Sequence, residues 1–107
     1  MRYSFVIPCY NSEKSIGAVV KEIQDKMLVM KEDDYEIILV NDHSKDKTED
    51  VIFKLADQKN IRAISFTKNA GQDSAVLAGF RASKGDYVAE LDDDGQTPAN
   101  EVDRLIN

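Results

Sequence analysis

Residues 92–94 read Asp-Asp-Asp, and Gln96 follows two positions on. Three adjacent carboxylates repel one another unless a cation or strong hydrogen-bond donors compensate them. Side chains alternate along extended backbone, so Asp92, Asp94 and Gln96 fall on one side of the chain. Two carboxylates and an amide oxygen make a hard donor set. It suits Mg2+ or Mn2+, with coordination positions left for diphosphate oxygens. A solvated acidic turn is the competing reading of the triplet taken alone. Its placement favours the metal: the triplet leaves an apolar segment, residues 87–91, and three other polar clusters leave three other apolar segments.

Those clusters are Pro8, Tyr10 and Asn11; then Asn41, Asp42, Ser44 and Asp46; then Lys68, Asn69, Gly71 and Gln72. Asp42 has two readings, an acceptor for a nucleobase or ribose, or an Asx-turn ahead of the next helix. The segment 69–72 places Gly71 before a helix start, either a seat for phosphate or sugar oxygens or an ordinary glycine turn. Tyr10 is either a stacking surface for a base or a half-buried strand-end tyrosine. His43 reads as a turn residue.

The elements that must position these residues alternate between two periodicities. Residues 3–7 are apolar and β-branched, and Pro8 is expected to end that strand. With Asn11 or Ser12 as N-cap, Ile16, Val19, Val20, Ile23 and Met27 mark one face of a helix. Residues 36–40 form a second strand, continuously apolar from Ile37 to Val40 and therefore covered on both faces. Residues 46–49 have capping-box spacing, and Val51, Ile52 and Leu55 form the buried face of a second helix. Residues 61–66 are a third strand. A third helix from Gln72 or Asp73 is expected to bury Val76, Leu77 and Phe80 and to stop with Gly85 at C′. Residues 87–91 are a fourth strand, and Thr97-Pro98 opens a last helix. Such alternation gives right-handed crossovers and a parallel sheet with helices on both faces. Ligands bind outside the carboxyl ends of strands in such sheets, where all four clusters stand.

Composition narrows the function classes. The 107 residues suit one domain, and the 14 basic residues are scattered among 20 acidic ones for a net charge of −6, which argues against nucleic acid. No apolar run approaches a membrane span. The single Cys9 has no disulfide partner and points to a reducing, cytoplasmic setting. A dinucleotide GxGxxG, a GxxxxGK[ST] loop and a Ser-His-Asp constellation are all missing.

Four ordered segments carry a family resemblance across essentially the whole chain. They are residues 6–11 (Val-Ile-Pro-Cys-Tyr-Asn), 38–46 (Ile-Leu-Val-Asn-Asp-His-Ser-Lys-Asp), 68–72 (Lys-Asn-Ala-Gly-Gln) with Ala78-Gly79-Phe80, and 91–98 (Leu-Asp-Asp-Asp-Gly-Gln-Thr-Pro). Together they resemble family-2 glycosyltransferases of the GT-A fold, closest to the polyprenyl-phosphate, dolichol-phosphate-mannose-synthase-like branch. The resemblance implies that residues 1–107 are the N-terminal nucleotide-sugar-binding part of such a domain. It implies nucleoside contacts at Pro8, Tyr10, Val40 and Asp42, with Asn69, Gly71 and Gln72 also on the substrate. It implies metal at Asp92, Asp94 and Gln96, with Asp93 beside the sugar nucleotide and Asp93 and Asp94 acting in catalysis. The implied reaction is inverting transfer of a hexose from a UDP- or GDP-sugar to polyprenyl phosphate, a route that requires no strong general base because the acceptor is already ionised. The chain departs from the family pattern at Asn41, where Asp is usual, at Ser12, where Glu is usual, and at Asp93, where a small residue is usual.

Three rival functions compete with this reading. A glycan-hydroxyl acceptor would require a carboxylate base. A non-catalytic nucleotide- or metal-binding module would keep the fold without the chemistry. A receiver-type Mg2+ domain would need acids where Pro8 and Tyr10 stand. The chain is expected to be truncated: the acceptor half, and any membrane segment that would place the parent at the cytoplasmic face of a membrane, would lie beyond Asn107. It is therefore expected not to turn over alone, and an uncovered sheet edge would favour a homo-oligomer.

Overall fold

The computed structural model describes residues 2–94. The order is β1 (Tyr3–Cys9), α1 (Ile16–Val29), β2 (Tyr35–Asn41), α2 (Thr48–Leu55), β3 (Ile61–Ser65), α3 (Gln72–Ala82) and β4 (Tyr87–Glu90). The four strands form one sheet in the order β3-β2-β1-β4, and every pairing is parallel. The expected helix at Thr97-Pro98 lies outside the described residues, as does Gln96.

Alternation along β1 divides the core. Tyr3, Phe5, Ile7 and Cys9 face α1 and α2, in one cluster with Ile16, Val20, Ile23, Met27, Leu39 and Ile52. Val6 faces the other way, against Ile38, Val40 and Ala75 beneath α3. Both faces of the sheet are thus covered, as the unbroken apolar run in β2 requires. Each fully buried Phe, Ile or Leu contributes about 1.5–3 kcal/mol to that arrangement.

Four local expectations are corrected. Strand β1 runs through Pro8 to Cys9 rather than ending at Pro8. The Val6 carbonyl accepts a bond from Leu91 N on the β4 side. Two residues on, Pro8 faces that same side beyond the end of β4, where no ladder bond needs its missing N–H. Neither Asn11 nor Ser12 caps α1; the N-cap is Ser15, and the Ser12 carbonyl accepts from Ser15 N and Ile16 N instead. The capping box at residues 46–49 does not close either. Asp46 does accept Thr48 N, at 2.9 Å, but the N-cap is Lys47, and Glu49 takes the Ser65 hydroxyl at 2.6 Å.

The fourth correction concerns α3. Leu77 and Phe80 are 47% and 44% exposed and Val76 is half-buried, while Ala75 and Gly79 are buried. The small residues face the sheet because α3 lies too close for large ones: a Cβ on Gly79 would sit 2.3 Å from Val6 Cγ1. Gly85 is not a C′ residue. Helix α3 ends at Ala82 with Ser83 extended, and Gly85 is packed so tightly on β1 that a Cβ would lie 2.5 Å from Ser4 Oγ.

Candidate functional site

With β2 and β3 on one side of β1 and β4 on the other, the strand order reverses between β1 and β4. Ligand crevices in open parallel sheets form at such a point. A cavity of about 250 Å3 opens there. Pro8, Cys9 and Tyr10 line it from β1, Asp42 from β2, Gln72 from the first turn of α3, and Asp92, Asp93 and Asp94 from the end of β4. The sequence clusters therefore do share one rim.

Hydrogen bonds from loop to loop hold that rim in shape. Asn11, at φ +50°, accepts Lys45 N at 2.9 Å through Oδ1 and donates its own N–H to Ser44 Oγ at 3.0 Å. Ser12 N donates to Thr48 Oγ1 at 2.8 Å, and Glu13 N to Asp46 Oδ2 at 3.2 Å. Burial pushes the Asp46 carboxyl up, but bonds from the Thr48 hydroxyl, Thr48 N and Glu13 N outweigh it and hold it below the usual carboxylate range. Asn41 is also committed, donating to Ser65 Oγ at 3.0 Å and accepting from Ser44 N at 3.1 Å.

Asp42 is neither an Asx-turn before α2 nor exposed to solvent. It is 8% exposed, and its two oxygens accept Ala70 N at 2.8 Å and Gly71 N at 3.1 Å, the N-terminal approach to α3. The expected phosphate seat at Gly71, whose φ is +94°, is thus met by the chain's own carboxylate. Asn69 does not line the cavity; it braces the same loop, donating to the Asp42 carbonyl at 2.6 Å. Val40 is fully buried under α3, so its side chain lies beneath the cavity and not in it.

Asp93 is anchored at both ends. Its Oδ2 accepts Tyr10 N at 2.9 Å, and its carbonyl accepts Ser15 Oγ at 2.7 Å. The other lining carboxylates are Asp92, half-buried, and Asp94, exposed. Among the described residues no group of three or more His, Cys, Asp or Glu converges on one point, so a metal here would need a ligand beyond these carboxylates. The sequence assigned that place to Gln96. The two aspartates offer oxygen only, which fits a hard cation.

Two contributors escaped the sequence reading. Cys9 lines the cavity floor, where burial above all, and the Asp93 charge with it, push its thiol far up, leaving an unreactive wall rather than a nucleophile. Ser15 fixes Asp93, and nothing in a lone serine ahead of a helix announced that.

Comparison with known proteins follows the same lines. The sequence profile described as Glycosyl transferase family 2 matches residues 4–107. The chain is 37% identical over 107 residues to the undecaprenyl-phosphate 4-deoxy-4-formamido-L-arabinose transferase of Photorhabdus laumondii, covering 98% of this chain and 33% of that protein. It is 38% identical to the Proteus mirabilis protein of the same name, covering 98% and 32%. The chain thus spans about a third of the length of the curated relatives it matches. Among solved structures, residues 1–349 of S. aureus TarS in complex with UDP superpose with a TM-score of 0.72 at 25% identity, over 88% of this chain and 28% of that one. The mannosyltransferase PcManGT from Pyrobaculum calidifontis, in complex with GDP-Man and Mn2+, gives 0.71 at 20% identity, over 87% and 27%, a likeness of fold.

Proposed function

This chain belongs to glycosyl transferase family 2, and we propose that its acidic crevice is the donor half of an active site that moves a glycosyl group from a UDP- or GDP-sugar to polyprenyl phosphate. One observation carries the reading. The crevice at the strand-order reversal gathers four carboxylates, Asp42, Asp92, Asp93 and Asp94, and among the described residues no Lys, Arg or His lines it. Such a concentration of carboxylates is unfavourable unless a cation or an array of donors meets it. Backbone donors meet Asp42 and Asp93, while a hard divalent ion suits the Asp92 and Asp94 oxygens, with Gln96 as the proposed third donor.

In this reading Pro8 and Tyr10 form the wall that receives the nucleoside, with Tyr10, 46% exposed, offering its ring. Asp42 holds the 69–71 loop at the crevice, through Ala70 N and Gly71 N on its carboxylate and the Asn69 amide on its carbonyl, and leaves its remaining lone pairs toward base or ribose. Gln72 presents an amide to the diphosphate or sugar. Asp93 keeps the β4 end against β1, with its carboxylate beside the glycosyl group, and Asp94 acts at the diphosphate. A bound Mg2+ or Mn2+ would supply neutralisation of charge on the departing nucleoside diphosphate. An acceptor phosphate oxygen attacks the anomeric carbon from the opposite face, and the bond to the diphosphate breaks with its electron pair on the leaving oxygen. The acceptor is ionised near neutral pH, so no lining residue need remove a proton.

The relatives named above act, by their names, on undecaprenyl phosphate and on a modified arabinose, so the class proposed here is a glycosyl group rather than a hexose. No described helix is long and apolar enough to cross a membrane. Calorimetric titration of UDP and GDP, with and without Mn2+, tests the donor half. Metal-dependent binding of one nucleotide, lost in Asp94→Ala, is expected. Binding of neither, in this chain and in a polypeptide of the relatives' full length, would overturn the reading.

A further inference from the structure

The opposite end of the sheet carries a second cleft of about 120 Å3, among the amino ends of the strands. Six donor-bearing residues surround it: Arg2, Tyr35, Lys59, Asn60, Arg62 and Lys84. Among the described residues Glu36 is the one carboxylate in its lining, and that group is saturated. It accepts Ser4 Oγ at 2.6 Å, Lys84 N at 2.6 Å and Arg62 Nη2 at 2.8 Å. Arg62 also donates to the Ala82 carbonyl, so the negative end of α3 is met as well.

The lining therefore holds four cationic side chains against one carboxylate, in a chain whose net charge is −6. Arg2 has acidic neighbours: Asp34 lies 3.6 Å from its Nε, and Asp86 accepts its backbone N–H. Lys59 and Lys84 enter no ion pair among the described residues. Two uncommitted ammonium groups, a phenol, an amide and a guanidinium around a small cavity suit a compact oxyanion. The space is too small for a nucleotide.

We propose that this amino-end cleft is a phosphate-group site, separate from the acidic crevice, with Lys59 and Lys84 as its principal ligands. The group is a single phosphate, free or carried by a lipid head. The assignment does not depend on the donor-site reading, because the two sites lie at opposite ends of the strands and their variants are separable.

The test is titration of the 107-residue chain with inorganic phosphate at constant ionic strength, followed by amide resonances. Saturable shifts at Tyr35, Arg62 and Lys84 are expected, with affinity at least tenfold weaker in the Lys59→Ala/Lys84→Ala double variant and unchanged in Asp94→Ala. Both lysines are exposed, and Lys84→Ala keeps the backbone N–H that Glu36 accepts. An unchanged thermal transition will confirm that the double variant folds. Flotation with phosphatidylglycerol vesicles, against phosphatidylcholine controls, assigns the source. Lysine-dependent flotation identifies a lipid head, and phosphate binding without flotation identifies a free phosphate. Shifts that chloride reproduces, or that survive in the double variant, overturn the proposal.

Discussion

The two ends of this sheet each hold a nearly buried acid, and the two acids are used in opposite ways. At the amino end, Glu36 faces a guanidinium, a hydroxyl and a backbone N–H, and its charge is cancelled on the spot. At the carboxyl end, Asp42 receives backbone N–H groups from Ala70 and Gly71, and three further aspartates line the same crevice. The Glu36 carboxylate is paired where it stands, in a basic cleft, whereas the described lining of the crevice is acidic. Glu36 is a structural acid with its counter-charge beside it, whereas the crevice acids gather where a cation-bearing ligand would bind.

The sharpest way to break this contrast is Glu36→Ala. It strands Arg62, Ser4 Oγ and Lys84 N together, and a loss of about 3 kcal/mol is expected in urea denaturation. A loss below about 1 kcal/mol would mean that the amino-end network is ornamental and the ends are not distinct. Next in size is Gly79→Ala, whose new methyl meets Val6 2.3 Å away and must push α3 off β1. About 2 kcal/mol of destabilisation is expected, and a neutral result would show that α3 adjusts freely over the sheet.

Asp42→Asn sharpens the contrast from the other side. An amide can accept from only one of Ala70 N and Gly71 N, so stability should fall by about 1 kcal/mol. Nucleotide affinity should fall at least tenfold as the 69–72 loop loosens. Glu36→Gln should leave that affinity within a factor of two, and equal losses in both variants would erase the division of labour.

Acid should have the smallest effect. Burial raises the Glu36 carboxyl, but Ser4, Lys84 N and Arg62 outweigh it and hold it below its ordinary value, which is about 4.3 in an unfolded chain. A depressed native value contributes stability that is complete above about pH 4.3 and lost as pH falls through the native value. Asp46 behaves alike from about pH 3.9 downward. Melting temperature followed from pH 6 to pH 3 should drop, and Glu36→Gln should flatten the drop. An identical slope in that variant would show that Glu36 is not perturbed.

The sheet, its strand sequence and the shared rim were legible because apolar periodicity reports burial directly. Residues 36–40 could only be a covered strand, and Asp92 to Asp94 could only leave the end of another. What escaped depended on distance between elements, which spacing in one element does not encode. The outward turn of Leu77 and Phe80 follows from the close approach of Gly79 to Val6, so on α3 the smallest residues, not the largest, mark the sheet-facing side. The commitment of Asp42 to Ala70 and Gly71 spans 28 and 29 residues. Glu36 looked like the first residue of a strand, and its partners Ser4, Arg62 and Lys84 come from three other parts of the chain. Gln96, the third proposed metal donor, lies outside the described residues.

The pairing of β1 with β4 sets a timetable for synthesis. Tyr3 is matched with Tyr87, whereas its other neighbour in the sheet is Tyr35. At about 5–20 residues per second, roughly 4–17 s separate the emergence of the two ends of the β1–β4 ladder. The β1–β2–β3 unit is complete at Ser65 and β4 ends at Glu90, so for about 1–5 s the nascent chain carries β1 as a bare border open to mispairing. Arrival of β4 closes that border, and the same late strand delivers Asp92, Asp93 and Asp94. The crevice is therefore the last part of these elements to be assembled, and a chain stalled before β4 would emerge both sticky and without its acidic triplet.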